Sequence, residues 1–184
     1  MRLISAGFVV LAVLGLFSPM SYAQDQPARH GFWGGVDLGL GLLERSVDES
    51  EVNDSTFYMG FKGGYTINPH LRIGLELSGW LLQASDLEDP QKGKGLGQIL
   101  FITRYYPFKK SNVFARFGGG YVNLWNNSPG ETANQEGFGF TVGGGYDILV
   151  TRSFALSPFA SFNFGDAGDM DYTAVNIGIG FILF

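Results

Sequence analysis

The chain has 184 residues, with 17 Asp or Glu against 12 Lys or Arg and no cysteine. That negative balance, with no basic stripe, excludes a nucleic-acid partner, and the missing cysteine excludes a disulfide framework and a lipoprotein anchor. Past residue 23 there is no long apolar run and no sustained helical period; this excludes a helical membrane protein but suits a β-barrel, whose signal is weak per strand and repeated.

Met1-Arg2 opens the chain with a positive charge. An apolar run follows from Leu3 to Phe17, Ser18-Pro19 breaks it, and Ser21-Tyr22-Ala23 offers small residues at cleavage offsets. Residues 1–23 therefore read as a secretory signal peptide cut after Ala23, too short for a good membrane anchor. Residues 24–184 are long enough for one domain and carry 11 basic and 17 acidic residues.

After a short polar lead to Gly31, FWGGVDLGLGLL sets Phe32, Val36, Leu38, Leu40 and Leu42 against Trp33, Gly35, Asp37, Gly39 and Gly41. A period of two marks a strand with unlike faces. Leu43 to Ser55 is an acidic stretch expected to form a long loop. The second strand opposes Phe57, Met59, Phe61, Tyr65 and Ile67 to Tyr58, Gly60, Lys62, Gly64 and Thr66. Asn68-Pro69-His70 is a tight turn. The third strand opposes Leu71, Ile73, Leu75, Leu77 and Leu81 to Arg72, Gly74, Glu76, Ser78 and Trp80.

Gln83 to Gly95 is a second long loop. The fourth strand, Leu96 to Pro107, puts Ile99, Phe101, Thr103 and Tyr105 outward and Gln98, Ile102 and Arg104 inward. Beyond a turn at Phe108 to Asn112, the fifth strand opposes Val113, Ala115, Phe117 and Tyr121 to Phe114, Arg116, Gly118 and Gly120. Asn126 to Glu136 is a third loop. The sixth strand points Phe138, Phe140, Val142, Tyr146 and Ile148 outward. Leu149 to Ser153 turns, and the seventh strand runs Phe154 to Phe164. Gly165 to Asp171 is a fourth loop. The eighth strand, YTAVNIGIGFILF, sets Thr173, Val175, Ile177, Ile179, Phe181 and Leu183 on one face.

Eight strands joined by alternately short and long connections predict an all-β fold: a closed, eight-stranded antiparallel transmembrane β-barrel with short periplasmic turns and longer extracellular loops. A soluble barrel with a ligand cavity would reverse the faces. Three features choose lipid outside. The less apolar face is mostly Gly with single charges, which suits a narrow crowded bore. Aromatics stand near strand ends (Phe32, Tyr65, Tyr105, Tyr121, Tyr146), where interfacial girdles belong. The last apolar strand is followed by no packing helix.

The signal peptide, the eight alternating strands, RYYPFKKSNVFARFGGGY across the second short turn, and IGIGFILF together resemble the small outer-membrane β-barrel superfamily of OmpA, OmpX and OmpW type. The resemblance covers residues 24–184. It implies a bacterial outer-membrane location, contact with outer-membrane lipid and lipopolysaccharide, and recognition of the C-terminal strand by the barrel assembly machinery. It also implies a rival role as a narrow channel, or a lateral path for apolar solutes. In the family the terminal aromatic is preceded by outward apolar residues at every second position. Here that count from Phe184 lands on Ile182, Gly180, Gly178 and Asn176, whereas the apolar phase ends on Leu183.

The inward charges are Asp37, Lys62, Arg72, Glu76, Arg104, Arg116 and Asp147. If Ile67 pairs with Leu71, Lys62 stands opposite Glu76, an attractive cross-strand pair. If Pro107 pairs with Val113, Arg104 stands opposite Arg116, and the two need a carboxylate between them; Glu76 and Asp147 are the candidates. Side chains fill a bore of eight strands, so the seven are expected to form a packed salt-bridge network that plugs it.

Catalysis has little support. Lipid-cutting chemistry needs a nucleophile and usually a His base. The only histidines, His30 and His70, fall at the periplasmic end. Gly118 to Gly120 and Gly143 to Gly145 lie inside strands with no following helix, so no phosphate cradle forms. No catalytic, metal or cofactor site is expected. The four long loops hold 13 acids (Glu44, Asp48, Glu49, Glu51, Asp54, Asp86, Glu88, Asp89, Glu131, Glu136, Asp166, Asp169 and Asp171) against Arg45, Lys92 and Lys94. They suggest a non-enzymatic structural or surface-interaction role: an acidic surface that bridges divalent cations to lipopolysaccharide phosphates or meets a basic extracellular partner.

Overall fold

The computed structural model describes residues 31–47, 50–83, 94–108, 111–126, 135–168 and 170–184. The expected signal peptide, most of the second and third loops, Lys109, Lys110 and Asp169 lie outside the described residues.

The strands are β1 (Gly31–Val47), β2 (Ser50–Asn68), β3 (Leu71–Gln83), β4 (Lys94–Tyr105), β5 (Val113–Asn126), β6 (Gln135–Tyr146), β7 (Ile148–Leu149), β8 (Phe154–Ala167) and β9 (Met170–Leu183). Every pairing is antiparallel between sequence neighbours, except that β6 pairs with β8 and β9 pairs with β1. That last pairing closes the sheet and leaves no long edge. β7 is a stub that continues β6: Gly145 lies opposite Phe159, and in the same register Ile148 lies opposite Leu156. Asp147 interrupts the ladder between them and donates its backbone N–H to the Asn112 carbonyl at 3.1 Å. The molecule is thus a closed, eight-stranded antiparallel barrel.

The alternation places the large apolar side chains outside. Leu40, Phe61, Leu75, Leu77, Ile99, Phe101, Phe117, Phe140, Ile177 and Ile179 form an exposed belt around the wall, and Phe32, Tyr65, Tyr105 and Tyr121 are exposed near strand ends. Such a belt is costly in water and stable in hydrocarbon. The final residues follow the phase that ends on Leu183. Leu183 is 62 % exposed, Ile182 is fully buried, and the Phe184 ring turns back over Arg72 with its centroid 4.5 Å from the guanidinium carbon.

Two of the expected loops prove to be largely strand. β1 and β2 stay paired from Gly31↔Thr66 up to Val47↔Ser50, so most of 43–55 is an extended hairpin. β8 and β9 stay paired up to Ala167↔Met170, and Gly168 supplies the positive φ of 61° that their tight turn requires. The reason is physical. Backbone pairing needs no apolar–polar alternation, so the ladder persists through a segment of β1 and β2 whose sequence is mostly polar and carries none.

Candidate functional site

The bore is built in storeys, each from side chains on the inward phase. At the end with the short turns, the Arg72 guanidinium lies between the rings of Tyr106 (4.8 Å) and Phe184 (4.5 Å). Its Nη1 donates to the Tyr106 hydroxyl at 2.9 Å, and that hydroxyl donates to Asp147 Oδ2 at 2.8 Å. Arg104 Nη2 donates to Asp147 Oδ1 at 3.0 Å and to Ser157 Oγ at 3.1 Å; the Ser157 hydroxyl in turn donates to Asp147 at 2.8 Å. The Arg104 guanidinium also lies 3.6 Å from the Phe114 ring centre.

One storey further in, Lys62 Nζ donates to both Asp37 oxygens, at 2.5 and 2.6 Å. Arg116 bridges two carboxylates. Its Nη1 lies 3.4 Å from Asp37 and 3.0 Å from Glu76 Oε2, and its Nη2 donates to Glu76 Oε1 at 3.0 Å. Tyr58 and Ser78 hydroxyls donate to the same Glu76 oxygen at 2.9 and 3.1 Å. All seven charged residues are buried, from Asp37, Arg104 and Asp147 at 0 % to Lys62 at 7 % exposed.

Toward the other end, charge gives way to amides and rings. Gln98 donates to Ser78 at 2.9 Å, and Trp80 Nε1 donates across the bore to Asn176 Oδ1 at 2.8 Å. Tyr58, Trp80 and Tyr172 then pack in sequence as a tilted column, with ring centres 5.7 and 6.0 Å apart and ring planes inclined at 49° and 57°, among buried Leu43, Leu96, Val122, Met170 and Ala174. Gly41 allows this packing, because a Cβ there would meet Asn176 Oδ1 at 2.7 Å and the Trp80 ring at 3.0 Å.

The structure corrects one pairing. Lys62 does stand opposite Glu76, and Arg104 opposite Arg116. Yet the carboxylate Lys62 holds is Asp37. Room for that contact comes from Gly180, where a Cβ would crowd Asp37 Oδ1 and stand 3.4 Å from Lys62 Nζ, while Arg116, Tyr58 and Ser78 occupy Glu76. The two arginines divide the carboxylates, Asp147 to Arg104 and Glu76 to Arg116. Tyr106 and Ser157 were not singled out from sequence, and Phe184 was considered only as the terminal aromatic. Tyr106 was findable, because it continues the inward phase of Ile102 and Arg104.

Chemically the site neutralises and fills. Ser157 Oγ has Asp147 and Arg104 as partners, and no imidazole among the described residues is bonded to it. His70 sits in the turn between β2 and β3, with its ring Nδ1 2.7 Å from the Tyr106 carbonyl oxygen and its backbone N–H on Asn68 Oδ1. His30 lies outside the described residues.

Among solved structures the chain is similar to Neisserial surface protein A, at 18 % identity and a TM-score of 0.58, covering 85 % of this chain and 98 % of that one. It is also similar to Ail, the attachment invasion locus protein of Yersinia pestis, at 12 % identity and a TM-score of 0.55, covering 84 % and 100 %. At these identities the likeness speaks to the fold. No curated protein matches the chain. The family model for the outer membrane protein beta-barrel domain matches residues 9–182. A closed eight-stranded barrel with an apolar belt, an internal ion-pair network and that match together place the chain in the outer membrane protein beta-barrel domain family.

Proposed function

We propose that this outer-membrane barrel is a non-enzymatic envelope protein with a plugged bore, exported by a signal peptide cut after Ala23, that acts through its acidic loop end. The observation that carries the reading is the filled interior: ion pairs in one half and a Tyr58–Trp80–Tyr172 stack in the other. A path for solute would have to break both. The non-enzymatic part is supported by Ser157, whose hydroxyl is tied up between Arg104 and Asp147.

Function then falls to the surface. Glu44, Glu136, Asp166 and Asp171 are exposed at the loop end, and Asp166 stands opposite Asp171 across β8 and β9. Like charges so placed repel unless a cation lies between them. This supports divalent-cation bridging to lipopolysaccharide phosphates, and a basic rather than acidic extracellular partner. Ail has been crystallised in complex with the heparin analogue sucrose octasulfate; the acids here disfavour such a polyanion. The C-terminal strand, which closes the barrel on β1, is the segment we assign to the assembly machinery. The deciding experiment is single-channel recording of refolded protein in a planar bilayer, with the heat-dependent gel shift as the folding control. Folded protein without current steps is expected. Steady steps would replace this reading with the narrow-channel one.

A further inference from the structure

The lipid-facing wall is not equally thick all round. One outward row, read across the strands, runs Ala115 on β5, Gly144 on β6, Ala160 on β8 and Ile177 on β9. Three small residues side by side leave a dent in a belt otherwise made largely of Phe, Leu and Ile. Val142 and Phe162 border it toward mid-barrel, and Tyr146 and Pro158 toward the short turns. The result is an apolar groove of about 460 Å³, within the range of about 300–1,000 Å³ that ligand pockets occupy. The same place is a fault in the ladder. β6 pairs with β8 as far as Gly145↔Phe159, and pairing resumes at Ile148↔Leu156 on β7. Between these rungs stand Pro158, which has no N–H to give, and Asp147, whose N–H turns to Asn112. The wall is thin there. Phe114 and Phe159 point inward and are buried, yet both line the outward groove, and the Phe114 ring lies 2.7 Å from where a Cβ on Gly145 would stand.

Empty space against an apolar wall forfeits packing contacts, so the groove takes up what surrounds it, and around this belt is hydrocarbon. A second copy of the chain fits it poorly. Two barrels in one membrane share an orientation, so a twofold axis between them lies along the membrane normal and sets the dent of one against the dent of the other. A lipid tail has no such constraint. The dent begins at the short turns and ends near mid-barrel, which is the depth of one leaflet. Arg152, exposed in the turn before β8, is a cation at the end where that leaflet keeps its phosphates. We propose that the groove binds one acyl chain of an anionic phospholipid from the leaflet at the short-turn end, and that this chain, lying over Gly144, seals the fault between β6 and β8. The lipid lies outside the bore, so its binding does not depend on whether the bore is plugged.

The probe is a phosphatidylglycerol brominated on its acyl chains, titrated into barrel refolded in detergent without native lipid. Native mass spectrometry should find a single lipid per barrel that survives excess detergent, and crystals of the complex should show an anomalous bromine peak over Gly144. Phe162→Trp puts an indole on the rim of the groove, and its emission should be quenched to saturation at that same ratio. Ala160→Phe fills the groove from a position that already points outward; it should lose the adduct, the peak and, combined with the reporter, the quenching. Leu75→Phe, on the outward face of β3, should keep all three. If Ala160→Phe fails the heat-dependent gel shift, Ala115→Leu is the second filling variant, and the wild-type peak decides if neither folds. No retained lipid, a peak elsewhere on the belt, or binding unchanged in the filled variants (an adventitious additive only) would overturn the proposal. So would a wild-type dimer that Ala160→Phe dissolves, which would give the groove to a second copy, or displacement of the bromolipid by lipopolysaccharide, which would give it to the other leaflet.

Discussion

Asp147→Asn tests the charge network at its most connected point. Asp147 holds Arg104 at 3.0 Å and Arg72 at 3.6 Å, and accepts from Tyr106 and Ser157 at 2.8 Å each. Asparagine keeps the volume, so no cavity term enters. It keeps one acceptor oxygen and loses the charge. Arg72 and Arg104 are direct cross-strand partners, and without Asp147 they lose the carboxylate they share. Removing one member of a buried ion pair costs about 3–5 kcal/mol; the retained oxygen argues for the low end. A loss of about 3 kcal/mol is roughly two decades in the folding equilibrium. Urea unfolding of the refolded barrel, followed by tryptophan fluorescence and the heat-dependent gel shift, measures it. Adding Arg104→Met should recover part of the loss, because the second change removes the charge the first one stranded. A shift within about 0.5 kcal/mol, the range of an ordinary surface substitution, would refute the argument that these pairs hold the bore. Strict additivity of the two changes would show that they do not act on one another.

Other outcomes follow from the same geometry. Phe61→Arg puts a charge on the lipid face midway along β2 and should cost about 2–4 kcal/mol in vesicle refolding; equal tolerance of Phe61→Arg and a polar change on the inner face would invert the facing of the wall. Gly41→Leu drives a side chain into Trp80 and Asn176 and should cost about 1–3 kcal/mol, with loss of the near-ultraviolet circular dichroism of the buried indole. Trp80→Ala removes the centre of the ring stack at a cost of about 3–5 kcal/mol. If that stack seals the loop-end half, the variant should pass brief current steps only when combined with a break in the charged half, such as Arg116→Ala.

Much of the barrel was readable because lipid outside and a polar bore inside impose opposite demands on alternate residues. Phe57, Met59 and Phe61 against Tyr58, Gly60 and Lys62 is that demand written out. Lys62 opposite Glu76 was placed from an Ile67–Leu71 pairing that does not form: Asn68 faces Leu71, and a register shift between Thr66 and Asn68 restores the alignment that brings Lys62 to Glu76. Which carboxylate Lys62 would hold was not readable. Alternation specifies a face, whereas a lysine's choice of partner depends on the reach of its stem and on the space left by Gly180 beside Asp37. The top of β1 and β2 was misread for a related reason: Glu44 to Asp54 is polar at most positions and carries no alternation to read. The apolar phase that ends on Leu183 set Phe184 off the outward face, but only the three-dimensional path shows its ring over Arg72.

The hydrogen bond from Trp80 to Asn176 joins residues 96 apart in the chain, and it bears on the timing of folding. Asn176 belongs to β9, so Trp80 has no such acceptor until the final strand arrives beside β1. The same holds for Arg72 beneath Phe184. Contacts this distant in sequence reward the chain only after the loop-closure entropy has been met. The half-made sheet must therefore carry its charged and aromatic inner face unpaired, and wet, until closure. Zipping the last seam and drying the lumen are then a single event, and the rate of one should set the rate of the other.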